Sequence, residues 1–195
     1  IVKYLREMYS RIRVIVPESA RSAATLICCA ADEVVMGKHS SLGPIDPQIT
    51  LQTDLGVRMV PAQSILDQFD KARNEFQKTG EIGHWAPILR QYGPSLIAEC
   101  EDANQYTRKL AEEWTDEFMD TSNTTGVDPE EVADALLKRD KHNSHSRPIM
   151  RDEAEEIGLN VASLEADQGF QDAVLSVYHS AQHTHNGTGA IKIIE

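Results

Sequence analysis

Apolar and polar positions follow two rhythms over the first forty residues. Ile1, Leu5, Met8 and Tyr9 fall on one side at helical spacing, with Lys3, Arg6, Glu7 and Ser10 opposite. Residues 1–10 are therefore expected to form an amphipathic helix that covers a core. Residues 12–16, Ile-Arg-Val-Ile-Val, then read as a strand by their β-branched content, and Pro17 ends it. After a short polar loop the run Ser22 to Ala31 reads as a buried helix, and Glu33-Val-Val-Met36 as the next strand. Helix, strand, helix, strand argues for an α/β layer with parallel strands and right-handed crossovers, in which functional groups gather at the carboxyl ends of strands. Ser22 stands close to such an end.

Residues 40–49 carry Gly43, Pro44 and Pro47 and read as a structured loop. A short strand is expected from Val57 to Val60, stopped by Pro61. Ile65, Leu66, Phe69, Ala72 and Phe76 line one face of a helix over 62–78, and Pro94 opens a longer helix with the stripe Leu96, Ala103, Leu110 and Trp114. The polar segment 121–127 reads as a hinge, and Asp128 with Glu131 as an N-cap pair for a helix over 129–138. A helix from about Arg151 closed by Gly158, another over 166–182 and a terminal strand over 190–194 complete the pattern. No internal repeat is present.

Composition narrows the function classes. With 31 acidic against 19 basic residues the formal charge is −12, and no Lys/Arg run offers a nucleic-acid surface. Cys28, Cys29 and Cys100 cannot all pair internally, and two of them sit in an apolar run, which fits a reducing compartment. The longest apolar stretch, Ala23 to Ala31, is too short to span a bilayer. The sequence opens at Ile1 inside an amphipathic pattern and reads as a fragment, N-terminally incomplete.

The candidate chemistry centres on Ala20-Arg21-Ser22-Ala23-Ala24-Thr25. Small residues flank a serine at the junction of loop and helix, as in a nucleophile elbow. They would let substrate backbone approach the hydroxyl while the helix's free amides face a developing oxyanion. A serine before an apolar helix is by default an N-cap, and the local pattern alone favours that cap.

The longer string Ala20-Arg-Ser-Ala-Ala-Thr-Leu-Ile, Ala31-Asp-Glu-Val-Val-Met36 and Leu42-Gly-Pro-Ile-Asp-Pro-Gln48 resembles the serine dehydrogenase proteinase family, relatives of signal peptide peptidase A within the ClpP/crotonase superfamily. His145-Ser-Arg-Pro-Ile149, Glu153 to Leu159, Val177 to Ser180 and Ile191 to Ile194 resemble it too. The resemblance implies a ClpP/crotonase-like layered fold, a single domain over 1–195. Within it, 1–61 would form the β/α nucleophile core, 62–182 a mainly helical part and 190–194 a terminal strand. It implies a serine endopeptidase that acts on peptides or membrane-associated segments, works without metal or organic cofactor, and assembles as a homo-oligomer. The expected location is cytoplasmic or membrane-associated, of prokaryotic type. Ser22 takes the nucleophile's place, with Ala24 where the family has glycine, and the oxyanion Gly-Gly pair would lie before Ile1.

Relatives of signal peptide peptidase A use a lysine several dozen residues after the serine as base, which implies Lys71 or Lys78. Both lie opposite the apolar stripe of their helix, on the face that ordinarily meets water, and Lys71 is the candidate of the two. ClpP's histidine and aspartate do not carry over. His39 reads as a loop residue and Asp46 as a turn former. His179 and His183 share a helix face, yet no HExxH motif accompanies them, and no metal site is expected. Two other readings stay open: a crotonase-like acyl-CoA enzyme in which Ser22 is only a cap, and a catalytically degenerate oligomeric scaffold.

Overall fold

The computed structural model describes residues 1–53, 56–81, 83–120, 128–137 and 148–190. The hinge expected over 121–127, and all but Ala190 of the terminal strand expected over 190–194, lie outside them. Helix α1 (Val2–Met8) leads into β1 (Arg13–Val16), the two-residue β2 (Ser19–Ala20), α2 (Ala23–Cys29), β3 (Glu33–Met36) and β4 (Ser41–Leu42). The strands β5 (Gln48–Thr53) and β6 (Gly56–Pro61) follow, then α3 (Ala62–Thr79), the short α4 (Ala86–Leu89), α5 (Leu96–Phe118) and α6 (Pro129–Leu137). Beyond them come β7 (Ile149–Met150), α7 (Arg151–Ile157), β8 (Val161–Ser163) and α8 (Gln168–Gly187).

The fold is mixed α/β with parallel strands, as the alternation predicts. β1, β3 and β8 form a three-stranded parallel sheet, with Arg13 opposite Glu33 and Val34 opposite Val161. Val34, Val35 and Met36 are essentially inaccessible, which is why β3 is a continuous apolar run rather than an alternating one. A second sheet places β4 between β2, parallel to it, and β7, antiparallel. β5 and β6 form a separate antiparallel hairpin.

Two apolar clusters result. The larger joins Val16, Cys28, Cys29, Met36, Ala111 and Leu136 with their neighbours; the smaller joins Ala62, Ile65, Leu96 and Cys100 beneath the hairpin. No helix among the described residues is long and apolar enough to cross a membrane.

Several expectations need correcting. In α1 only Val2 is buried, while Ile1, Met8 and Tyr9 are exposed. A polar anchor outweighs the apolar stripe: Arg6 reaches inward to Asp32 at 2.8 Å and to the Ala30 carbonyl, and its guanidinium lies 4.2 Å from the Phe118 ring centre. On α5 the fully buried positions are Leu96, Cys100, Thr107, Ala111 and Thr115; of the expected stripe Leu96 is buried and Trp114 packs half-buried against the larger cluster, while Ala103 and Leu110 are only half-buried. Small side chains there let α5 lie close against α2 and α6. The loop expected over 40–49 contains β4 and the start of β5. Neither β5 nor β8 was foreseen.

Helix ends follow the sequence more closely. Asp128 accepts from the Glu130 amide at 3.0 Å, and Gly158 closes α7 at φ 110°.

The β3–β4 loop is tied to the far end of the sheet by one carboxylate. Glu165 accepts from the Lys38 amide at 2.7 Å, the Ser163 hydroxyl at 3.0 Å and Arg151 at 3.1 Å. The Lys38 amide, ahead of the Ser163 and Arg151 contributions, holds its pKa below the ordinary carboxylate range. A depressed folded-state pKa contributes stability above the unfolded value of about 4.3, lost as pH falls through the folded value. Glu165→Gln should therefore be less stable than the parent at neutral pH in urea titrations, and that difference should shrink as pH drops below about 4.

Candidate active site

Ser22 stands between β2 and α2 with φ 50° and ψ −113°, the only positive-φ residue other than glycine among those described. Backbone of this kind costs about 1–3 kcal/mol and persists only where the surroundings over-determine it. Those surroundings are built by Thr25, which is fully buried one turn further on. Its single hydroxyl hydrogen lies between the carbonyls of Ala20, at 2.9 Å, and Gly43, at 2.8 Å, while its oxygen faces the Gly43 amide at 3.3 Å. The Gly43 amide also donates to the Ala20 carbonyl at 2.8 Å, continuing the β2–β4 ladder.

Space for a side chain at that position is tight. A Cβ on Gly43 would come within 3.0 Å of Arg21 Cγ and 3.4 Å of its Cα. Thus the Ser-Ala-Ala-Thr and Leu-Gly-Pro segments, twenty residues apart in sequence, are one hydrogen-bonded unit closing on the residue before Ser22.

The N-cap expectation is not met. Ser22 makes no side-chain capping bond to α2, because a cap needs extended backbone and Ser22 has positive φ. Its side chain is half-buried, and Ala23 and Ala24 beside it are exposed, leaving the approach open. The expected row of free helix amides is also shortened. The Ala24 amide already donates to the Arg21 carbonyl at 2.9 Å, and α2 is only seven residues long.

The following segment is equally fixed. Ser40, fully buried, donates to the Val16 carbonyl and accepts from the Gly37 amide, joining the ends of β1 and β3. Asp46 is buried, and its carboxylate accepts from Gln48 Nε2 at 3.0 Å. His39 is an exposed loop residue. The α2 thiols are unsuited to nucleophilic work: burial pushes Cys29 up to about 12, and burial together with Cys29 raises Cys28 further.

Lys71 is exposed on α3 and has no hydrogen bond or ion pair among the described residues. It lines a cavity of about 520 Å³ walled by β5, β6, α3 and residues 85–92, to which the Ser22 turn contributes nothing. The structure does not bring Lys71 and Ser22 together in one cavity. Lys78 is exposed in the last turn of the same helix.

Residues 1–82 match the ClpP-like SDH-type serine proteinase family. The match takes in every element from α1 to α3 and both halves of the Thr25–Gly43 unit, whereas the resemblances seen beyond residue 82 lie outside it. Two curated relatives, both uncharacterized proteins of Methanocaldococcus jannaschii, are similar to the chain. One is 40% identical over 98 residues, half of this chain and 29% of that protein. The other is 47% identical over 49 residues, a quarter of this chain and 17% of that protein. The chain spans less than a third of the curated relatives it matches. No solved structure matches it.

Two outcomes test this geometry. Thr25→Val removes the hydroxyl from buried carbonyls and should cost about 1–3 kcal/mol of unfolding free energy by urea titration. Ser22→Gly and Ser22→Ala both lose the hydroxyl, but only glycine accepts positive φ freely, so the glycine variant should be the more stable by about 1 kcal/mol.

Proposed function

We propose that this chain carries the nucleophile segment of a serine peptidase, with Ser22 forming the acyl-enzyme. The observation that carries the reading is the positive φ of Ser22, held by a buried threonine whose bonds orient the turn. A helix cap needs no such strain, whereas a strained strand-to-helix turn presents a hydroxyl outward. In the reaction Ser22 Oγ attacks the peptide carbonyl carbon and its proton passes to a base. The C–N bond breaks as the amine leaves with that proton. Water then releases the carboxylate and returns a proton to Ser22.

For the base we propose Lys71, forty-nine positions after the serine, meeting Ser22 either from the same chain or from a second copy in a homo-oligomer. The support is the spacing implied by the family resemblance and the absence, among the described residues, of a competing partner for its ammonium group. Peptides or membrane-associated protein segments are the proposed substrates.

A fluorophosphonate probe tests both roles. The parent should be labelled and Ser22→Ala should not, and Lys71→Ala should slow labelling by at least about a hundredfold. Equal labelling of Ser22→Ala would falsify the nucleophile assignment. An unchanged rate in Lys71→Ala would remove the lysine while leaving the serine in place.

A further inference from the structure

We infer that the groove between the β5–β6 hairpin and residues 85–92 binds a carboxylate carried on an apolar chain. At about 520 Å³ it has the size of a small-ligand pocket. Its walls are apolar where Leu51, Val60, Trp85 and Ile88 face it, and one of its sides is held rigidly. Trp85 donates its indole N–H to Glu75 at 2.8 Å, and Tyr92 stacks on Phe69 with ring centres 5.5 Å apart.

The charged side chains of the described lining are both donors. Arg58 and Lys71 both line it, and neither has an ion-pair partner among the described residues. Gln68 accepts from the Tyr92 hydroxyl at 2.8 Å, which leaves its NH₂ group to donate. No aspartate or glutamate belongs to the described lining. The nearby Glu75 is engaged by Trp85 and by His84, 3.1 Å away.

Two cations without an ion-pair partner among the described residues, beside a donor amide in a chain of formal charge −12, suit an anion by chemistry. The apolar walls add a hydrocarbon body to that head. A carboxylate matches the fork of Arg58, and both a peptide's free C-terminus and a fatty acid carry one. The groove does not depend on Ser22.

Trp85 reports occupancy directly. The chain holds two tryptophans, so the Ser22→Ala/Trp114→Phe variant isolates its emission and excludes turnover. This variant is titrated with N-acetyl-leucyl-leucine, its C-terminal amide, decanoate and inorganic phosphate. A saturable change with one or both carboxylates is expected, with the amide and phosphate weaker by at least about tenfold, and saturation by only one carboxylate identifies the source. Arg58→Gln should weaken carboxylate binding by at least about tenfold, and Arg58→Lys should recover part of it. Equal affinity for acid and amide, equal affinity for phosphate, or binding unchanged in Arg58→Gln would each overturn the inference, as would no saturable change at all.

Discussion

The structure around the candidate nucleophile depends on one buried hydroxyl. Thr25 has a single hydrogen to share between the Ala20 and Gly43 carbonyls, and a single oxygen turned toward the Gly43 amide. Each of those groups ends a two-residue strand that could not stand alone, since a parallel pair of two residues supplies too few bonds to define itself. Without the hydroxyl, a carbonyl buried beside α2 would be left short of a partner, in surroundings where that omission costs more than the bond is worth in water. With it, the chain before Ser22 is fixed on one side by β2 and on the other by α2, and the positive φ between them becomes the geometry that connects the two.

This explains why two sequence segments had to be read together. Gly43 fits closely because Arg21 packs against it, and Thr25 because two carbonyls converge there. Ser40 extends the same logic one step outward by joining the ends of β1 and β3, and Glu165 ties the β3–β4 loop to the far side of the sheet. The strain at Ser22 is thus supported by successive layers of hydrogen bonds. Thiol chemistry at the neighbouring α2 cysteines is suppressed by the same burial that packs them.

Much of the first half was legible because its signals are local. The β-branched run of β1, the apolar run of β3 and the 3.6-residue stripe of α3 each declare themselves within a few residues, as do Asp128 and Gly158 at helix ends. What was missed is non-local. β2, β4 and β7 are two-residue strands defined only by partners far along the chain, and β8 becomes a strand by lying beside β3. For β5, the alternation of Ile49 and Leu51 with Gln48, Thr50 and Gln52 was present but obscured by the prolines before it. In α1, reading apolar positions as buried failed because an inward arginine took the seam, whereas on α5 buried threonines and small residues share the seam with Leu96 and Trp114. At the site, the serine was legible, but its supports, Thr25 and Gly43, were not recognised until their contact was seen. The lysine remains a matter of spacing, set on an exposed face of α3 beside a groove of its own.

The most direct measurement of the central claim is the site of acylation during turnover. The chain is mixed with an activated peptide ester, quenched in acid within the burst phase and digested with trypsin, which cuts after Arg21 and Lys38. The expected result is one acyl group per chain on the peptide spanning Ser22 to Lys38, localised to Ser22 by fragmentation. An acyl group on any other residue, or a burst retained in full by Ser22→Ala, would contradict the assignment of Ser22 as the nucleophile.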